Sequence, residues 1–131
     1  MVALLRKTLS LYGREIRKQL AEQGMGDVPR SGSWILGVLA EGELGPKELA
    51  RRLGGSKQGL SRLSQTLVDR GYVSRVPDPS DRRRVLLHLT PRGREAAAVV
   101  GLAVQGQDLR LRRLLGESSW DRLRRALARM E

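Results

Sequence analysis

The sequence predicts one mostly helical domain interrupted by a single small β-hairpin. Three observations lead there. Apolar residues recur at three- and four-residue spacing over residues 2–22 and again beyond Pro91, the repeat of amphipathic helices. Two short striped segments are split only by Gly54, Gly55 and Ser56, which suits a tight turn between helices. Residues 72–90 carry two apolar runs around "PDPSD", turn chemistry between strands. A chain of 131 residues holds one core and not two. Phe is absent and Trp and Tyr number two each, so that core must be Leu, Val and Ala.

Leu5, Leu9, Tyr12, Ile16 and Leu20 form the stripe of the first helix, residues 2–22, which the glycines of "GMGDVP" stop. A basic amphipathic helix can also lie on a membrane, but packing into the protein is the commoner fate. "SWILGVLAEG" is apolar nearly all round, as a central buried helix would be, with Ser31 or Ser33 as its cap. Pro46 suits the first turn of the next helix, and Gly54–Gly55 end it. Leu49, Ala50 and Leu53 form its face. Ser56 caps "SKQGLSRLSQTLVDRG", whose apolar face is Leu60, Leu63, Leu67 and Val68 and which closes at Gly71.

"YVSRV" and "VLLHLT" read as strands, with Val85, Leu87 and Leu89 on one face and Pro77 to Asp81 as the turn. Such a hairpin is unstable alone and must pack on the helices. A long helix follows Pro91 to about residue 115, with Ala96, Val100, Ala103, Gln107, Leu111 and Leu114 in line. Gly101 and Gly106 inside it cost about 1 kcal/mol each against Ala. Ser118 and Asp121 resemble a capping box that opens a last helix carrying Trp120, Leu123, Leu127 and Met130.

The formal net charge is +11, and Arg supplies 21 of the 25 cations. That excess calls for a polyanionic partner, nucleic acid or an anionic membrane face. No apolar run reaches the eighteen or so residues of a membrane span, and the N-terminal segment lacks a signal-peptide core. A soluble cytoplasmic protein without membrane association is expected. The absence of Cys excludes disulfides, thiolate metal sites and thiol switches. His88 is the single histidine, too few for a His-based metal cluster or triad in one chain. Neither a Walker A nor a GxGxxG loop is present, and Glu41, Glu43, Asp78 and Asp81 sit at turns, where capping accounts for them. No enzyme activity, metal or cofactor is expected.

Helices, helix-turn-helix, then a hairpin with a charged tip is the order of a winged helix-turn-helix. "LVDRGYVSRVPDPSDRRRVLLHLTPRG", residues 67–93, resembles the recognition-helix end, wing and following helix start of the MarR family of bacterial transcription regulators. "LGPKELARRLGGSKQGLSRL" resembles the preceding helices more loosely. The resemblance implies a single domain in which residues 30–91 form the winged unit and residues 1–24 and 92–131 supply dimerisation helices. It also implies a homodimer on double-stranded DNA at a pseudo-palindromic operator, most often as a repressor. In that family a wing Asp and a wing Arg pair with each other, and a wing arginine, Arg82, Arg83 or Arg84 here, enters the minor groove. By position the pair is Asp81 and Arg83, with Arg82 and Arg84 as added or alternative phosphate contacts. Narrow minor grooves favour Arg on physical grounds alone.

Lys57, Gln58, Ser61, Arg62 and Gln65 lie away from the leucine face of the second helix of the pair. Arg can read guanine, Gln adenine, and Ser either or a phosphate. Gly59 within that helix either permits close approach to DNA or is simply tolerated. Arg30, Arg51, Arg52 and Arg75 are candidate phosphate contacts. Residues 30–94 hold 13 cations and 6 acids against 12 and 8 elsewhere, so the reading half is the more basic. Many members of the resembled family release DNA on binding a small, often aromatic, ligand, for which Tyr12, Arg17 and Trp34 are the candidate pocket residues. The competing functions are a sequence-indifferent, nucleoid-architectural binder and a winged-helix interaction module.

Overall fold

A computed structural model describes residues 1–130. The described chain runs α1 (Val2–Glu22), α2 (Gly32–Leu39), α3 (Pro46–Leu53), α4 (Lys57–Asp69), β1 (Val73–Asp78), β2 (Asp81–Leu89), α5 (Pro91–Leu115) and α6 (Glu117–Ala128). The predicted mostly helical winged architecture is the one adopted.

α2 is the hub. Ile35, Leu36 and Leu39 are buried, and the helix contacts α3, α4, β2 and α5. Each such side chain withdrawn from water contributes about 1.5–3 kcal/mol. α1 lies along α5, burying Ile16 and Leu20 against a face that includes Ala96, Val100 and Ala103. The small residues on α5 let the two helices approach closely.

The helix-turn-helix is set by local chemistry. Pro46 occupies the first turn of α3, with Glu48 near the positive end and Arg51 and Arg52 near the negative end. Gly54 ends it in the left-handed region at φ 65°, where a Cβ would be strained. Ser56 caps α4, its hydroxyl accepting from the Gly59 amide at 3.0 Å. α4 closes in a Schellman turn: the Gly71 amide donates to the Val68 carbonyl and the Tyr72 amide to the Leu67 carbonyl. That geometry drives Tyr72, fully buried, into the core beside Leu67.

The hairpin departs from expectation. The strands extend through Pro77, Asp78 and Asp81, which leaves only Pro79 and Ser80 as the turn. Asp78 tightens it by accepting from the Ser80 amide at 2.8 Å. Pro77 is tolerated because the outer edge of β1 has no partner strand to miss its N–H. The pairing runs from Val73–Leu89 to Pro77–Val85, then jumps to Asp78–Asp81. Arg82, Arg83 and Arg84 are therefore the extra residues of β2, bulged out of the ladder. Of the predicted strand face, Leu87 and Leu89 are buried but Val85 lies beyond the core. A further bridge was not legible: Leu44 pairs with Leu87, exchanging both backbone hydrogen bonds at 2.8 and 3.3 Å.

Three expected caps and stripes are corrected. Ser31 stands at the N-terminus of α2, but its backbone is helical (φ −92°, ψ −6°) and its hydroxyl makes no cap. Ser33 instead donates to the Arg30 carbonyl at 3.5 Å. Capping needs an extended backbone, which the Pro29–Gly32 turn preceding α2 does not supply. The capping box at Ser118 is absent. Gly116, at φ 78°, breaks α5 by itself and serves as the N-cap of α6. Ser118 thus falls inside the first turn. The stripes of α1, α5 and α6 also outrun the core: Leu5, Leu9, Leu114, Leu123, Leu127 and Met130 are exposed.

Candidate nucleic-acid interface

Lys57, Gln58, Ser61, Arg62 and Gln65 are all exposed on α4, opposite the side that buries Ser64 and Leu67. They form a continuous polar and cationic face. The Gln65 amide donates to Asp69 at 2.7 Å, which fixes its direction along the helix. Gly59 turns toward a groove with Trp34 and Leu60 rather than toward this face. A Cβ there would meet only the Ser56 hydroxyl, at 2.9 Å. The space a Cβ would take is the one the capping hydroxyl of Ser56 occupies. Ser56→Ala is expected to lower stability by about 1 kcal/mol, read as a drop in the thermal midpoint.

Two of the wing arginines, Arg83 and Arg84, lie against one carboxylate. Asp81 accepts from the Arg83 amide at 3.1 Å and from Arg83 Nε at 3.3 Å, and its other oxygen lies 3.9 Å from Arg84 Nε. The Arg83 side chain is 93% exposed, so this contact orients a guanidinium in water and adds little stability. Arg82 is exposed on the same bulge. The arrangement presents several cations with no partner strand behind them.

The other candidate cations differ among themselves. Arg51 pairs with Glu48 at 2.6 Å and Arg52 with Glu41 at 2.6 Å, so each already has an anion. Arg30 and Arg75 are exposed. His88 faces Glu43 at 3.5 Å, joining the wing to the segment after α2. Of the three candidate pocket residues, Trp34 lines an open groove of about 450 Å³ with Leu9, Leu53 and Leu63. Tyr12 is elsewhere, donating to Asp108 of α5 at 2.5 Å, and partial burial raises its hydroxyl pKa, with Asp108 adding to the effect. Arg17 lies beside Gly13 on α1. The groove does not bring the three together.

A cluster that sequence reasoning missed lies at the C-terminal end of α4. Asp27 is in the link between α1 and α2. Its carboxylate accepts from the Tyr72 hydroxyl and from Arg92 at 3.1 Å, and its backbone carbonyl accepts from Arg70. Arg92 also donates to the Tyr72 hydroxyl at 2.8 Å and lies 4.5 Å from the centre of its ring. The hydrogen bond from Tyr72 holds the Asp27 carboxyl below the usual carboxylate range, with Arg92 assisting against partial desolvation. A lone acid in a glycine-rich link carries no periodic signal. A depressed carboxyl contributes stability that is present above its unfolded pKa, about 4, and is lost as pH falls through the lower folded value. The gap in thermal midpoint between wild type and Asp27→Asn should therefore be larger at pH 7 than at pH 3.

A helix-turn-helix followed by a two-stranded cationic wing defines the class, the winged helix-turn-helix proteins. Residues 27–84 match the family model for the MarR family. It is 35% identical over 77 residues to the multiple antibiotic resistance protein MarR of Salmonella typhimurium, a match covering 57% of this chain and 51% of that protein. The chain thus spans about half the length of the curated relatives it matches. Among solved structures, a mutant MarR from E. coli complexed with operator DNA superposes with a TM-score of 0.76 at 24% identity, over 98% of this chain and 91% of that one. A transcriptional regulator from Thermotoga maritima gives 0.61 at 28% identity, over 98% and 89%. Among the described residues, no helix is long and apolar enough to cross a membrane.

Proposed function

We propose that the protein is a cytoplasmic homodimeric transcriptional repressor that reads a pseudo-palindromic operator in double-stranded DNA. The observation that carries this reading is the exposed face of α4 standing in the same unit as the bulged Arg82–Arg83–Arg84 wing. Lys57, Gln58, Ser61, Arg62 and Gln65 face the major groove, and Arg83, steadied by Asp81, enters the minor groove with Arg82 and Arg84 on phosphates. Arg30 and Arg75 add phosphate contacts more readily than Arg51 and Arg52, whose charges are shared with Glu48 and Glu41. The uncovered apolar stripes of α1 and α6, Leu5 and Leu9 with Leu123 and Leu127, support pairing of two copies through the terminal helices. Two-fold pairing places the half-sites about one helical turn apart.

Ligand-controlled release is the regulatory part of the reading. The groove beside Trp34 has the size of a small-molecule site. It opens next to Ser56 and Gly59 at the start of α4, so an aromatic occupant there acts directly on the reading helix. Tyr12 and Arg17 have no part in that groove.

Fluorescence anisotropy near physiological salt, on DNA from upstream of the protein's own gene and on a scrambled duplex, tests the core of the proposal. A preference of a thousandfold or more is expected. Equal binding to both duplexes, repeated with DNA selected from a random pool, would instead support the architectural function. Arg62→Ala is expected to weaken the specific complex by about 1–3 kcal/mol while scrambled-DNA binding falls less.

A further inference from the structure

Among the described residues the chain crosses between the winged unit and the terminal helices twice, through the link 23–31 and the short passage from β2 through Thr90 into α5. Both are held at one point. Asp27 lies in the first link, and Arg92 is the second residue of α5 just past the other. Between them stands the Tyr72 hydroxyl, hydrogen-bonded to both. Tyr72 is part of the Schellman turn that ends α4, and Arg70 of the same turn donates to the Asp27 backbone. Thr90 adds a hydrogen bond to the Gly71 carbonyl at 2.6 Å. The C-terminal end of the reading helix is thus anchored to both crossings at once.

We propose that Asp27, Tyr72 and Arg92 are positioning residues that set the tilt of α4 against the terminal helices, and so the half-site spacing that a dimer accepts. This rests on the dimeric operator reading given above. Packing of α2 on α5 holds the unit in place, but apolar contact is non-directional and resists rotation weakly. Directional hydrogen bonds to Asp27, from Tyr72 and Arg92 on its carboxylate and from Arg70 on its backbone carbonyl, resist it far better. The lever is long. α4 has 13 residues, about 20 Å at the helical rise. A tilt of roughly 10° at its anchored end moves the other end by roughly 3.5 Å, close to the rise of one base pair. None of the three side chains lies on the exposed face of α4, so their effect on DNA is through geometry.

The test uses full-length protein and an operator selected from random DNA by the wild type. Duplexes with native spacing, with one base pair added or removed at the centre, and with a single half-site are then titrated by anisotropy. Wild type should prefer native spacing by tenfold or more. Tyr72→Phe keeps the buried ring and loses only the hydroxyl, and Asp27→Ala loses the carboxylate. Both should bind the half-site within twofold of wild type yet discriminate spacing by threefold or less. Unchanged spacing discrimination in both variants overturns the proposal. So does equal loss on half-site and full operator, which marks damage to the reading helix itself. If wild type selects no operator at all, the operator reading falls and this assignment falls with it.

Discussion

Gly93→Ala should lower stability by roughly 3 kcal/mol, near the top of the range for overpacking a core, and the thermal midpoint by roughly 10 °C. Gly93 is buried in the first turn of α5, and a Cβ there would collide with the Tyr72 carbonyl oxygen and lie 2.9 Å from its carbonyl carbon. Those are backbone atoms of the residue that closes the Schellman turn, so neither side can yield cheaply. The Gly93 amide also completes the cap of α5 by donating to the Thr90 hydroxyl at 3.0 Å. Gly101 is the internal comparison. It lies in the same helix, with open space for 4 Å around the place a Cβ would take, and Gly101→Ala should gain up to about 1 kcal/mol from helix propensity. Thermal unfolding followed by circular dichroism reads both. A Gly93→Ala protein that melts with the wild type would mean that the close approach of α5 to Tyr72 is wrong.

Removing Arg82, Arg83 and Arg84 together by alanine should weaken operator binding by a hundredfold or more and make the slope of log affinity against log salt shallower by about 2 to 3. The single change Arg83→Ala should account for roughly tenfold to hundredfold of the loss. Asp81→Ala should cost only a few-fold, because it releases the Arg83 guanidinium without removing its charge. Stability should be unaffected within about 0.5 kcal/mol, since the bulge is exposed and contributes nothing to the core. Anisotropy titrations at several salt concentrations give affinity and slope together. An unchanged slope in the triple variant would show that the wing does not touch the phosphate backbone.

Much of the fold was legible because its signals are local. Helix periodicity, the Pro46 start, the Ser56 cap and the Gly54 and Gly71 ends all act within a turn or two of chain. The places where sequence reading failed are also local in one respect: Ser118 had the right residues for a cap, and Gly116, two residues earlier, took that position. Composition alone pointed to a polyanionic partner. The reading face of α4 was legible as the complement of its leucine stripe, and the charged tip through its likeness to a known wing.

The sequence by itself determined the element order, the winged helix-turn-helix, the residues on the outer face of α4 and the charge on the wing. Tertiary structure decided that Arg82, Arg83 and Arg84 stand outside the ladder, that Leu44 bridges to Leu87, and that Trp34 lines a groove apart from Tyr12. It also assembled Asp27, Tyr72 and Arg92, whose contacts span 20, 45 and 65 residues of chain. The physical reason is range. Capping and periodicity are written in neighbouring residues, whereas a register shift or a shared carboxylate depends on which distant backbones the closed core brings within hydrogen-bonding distance.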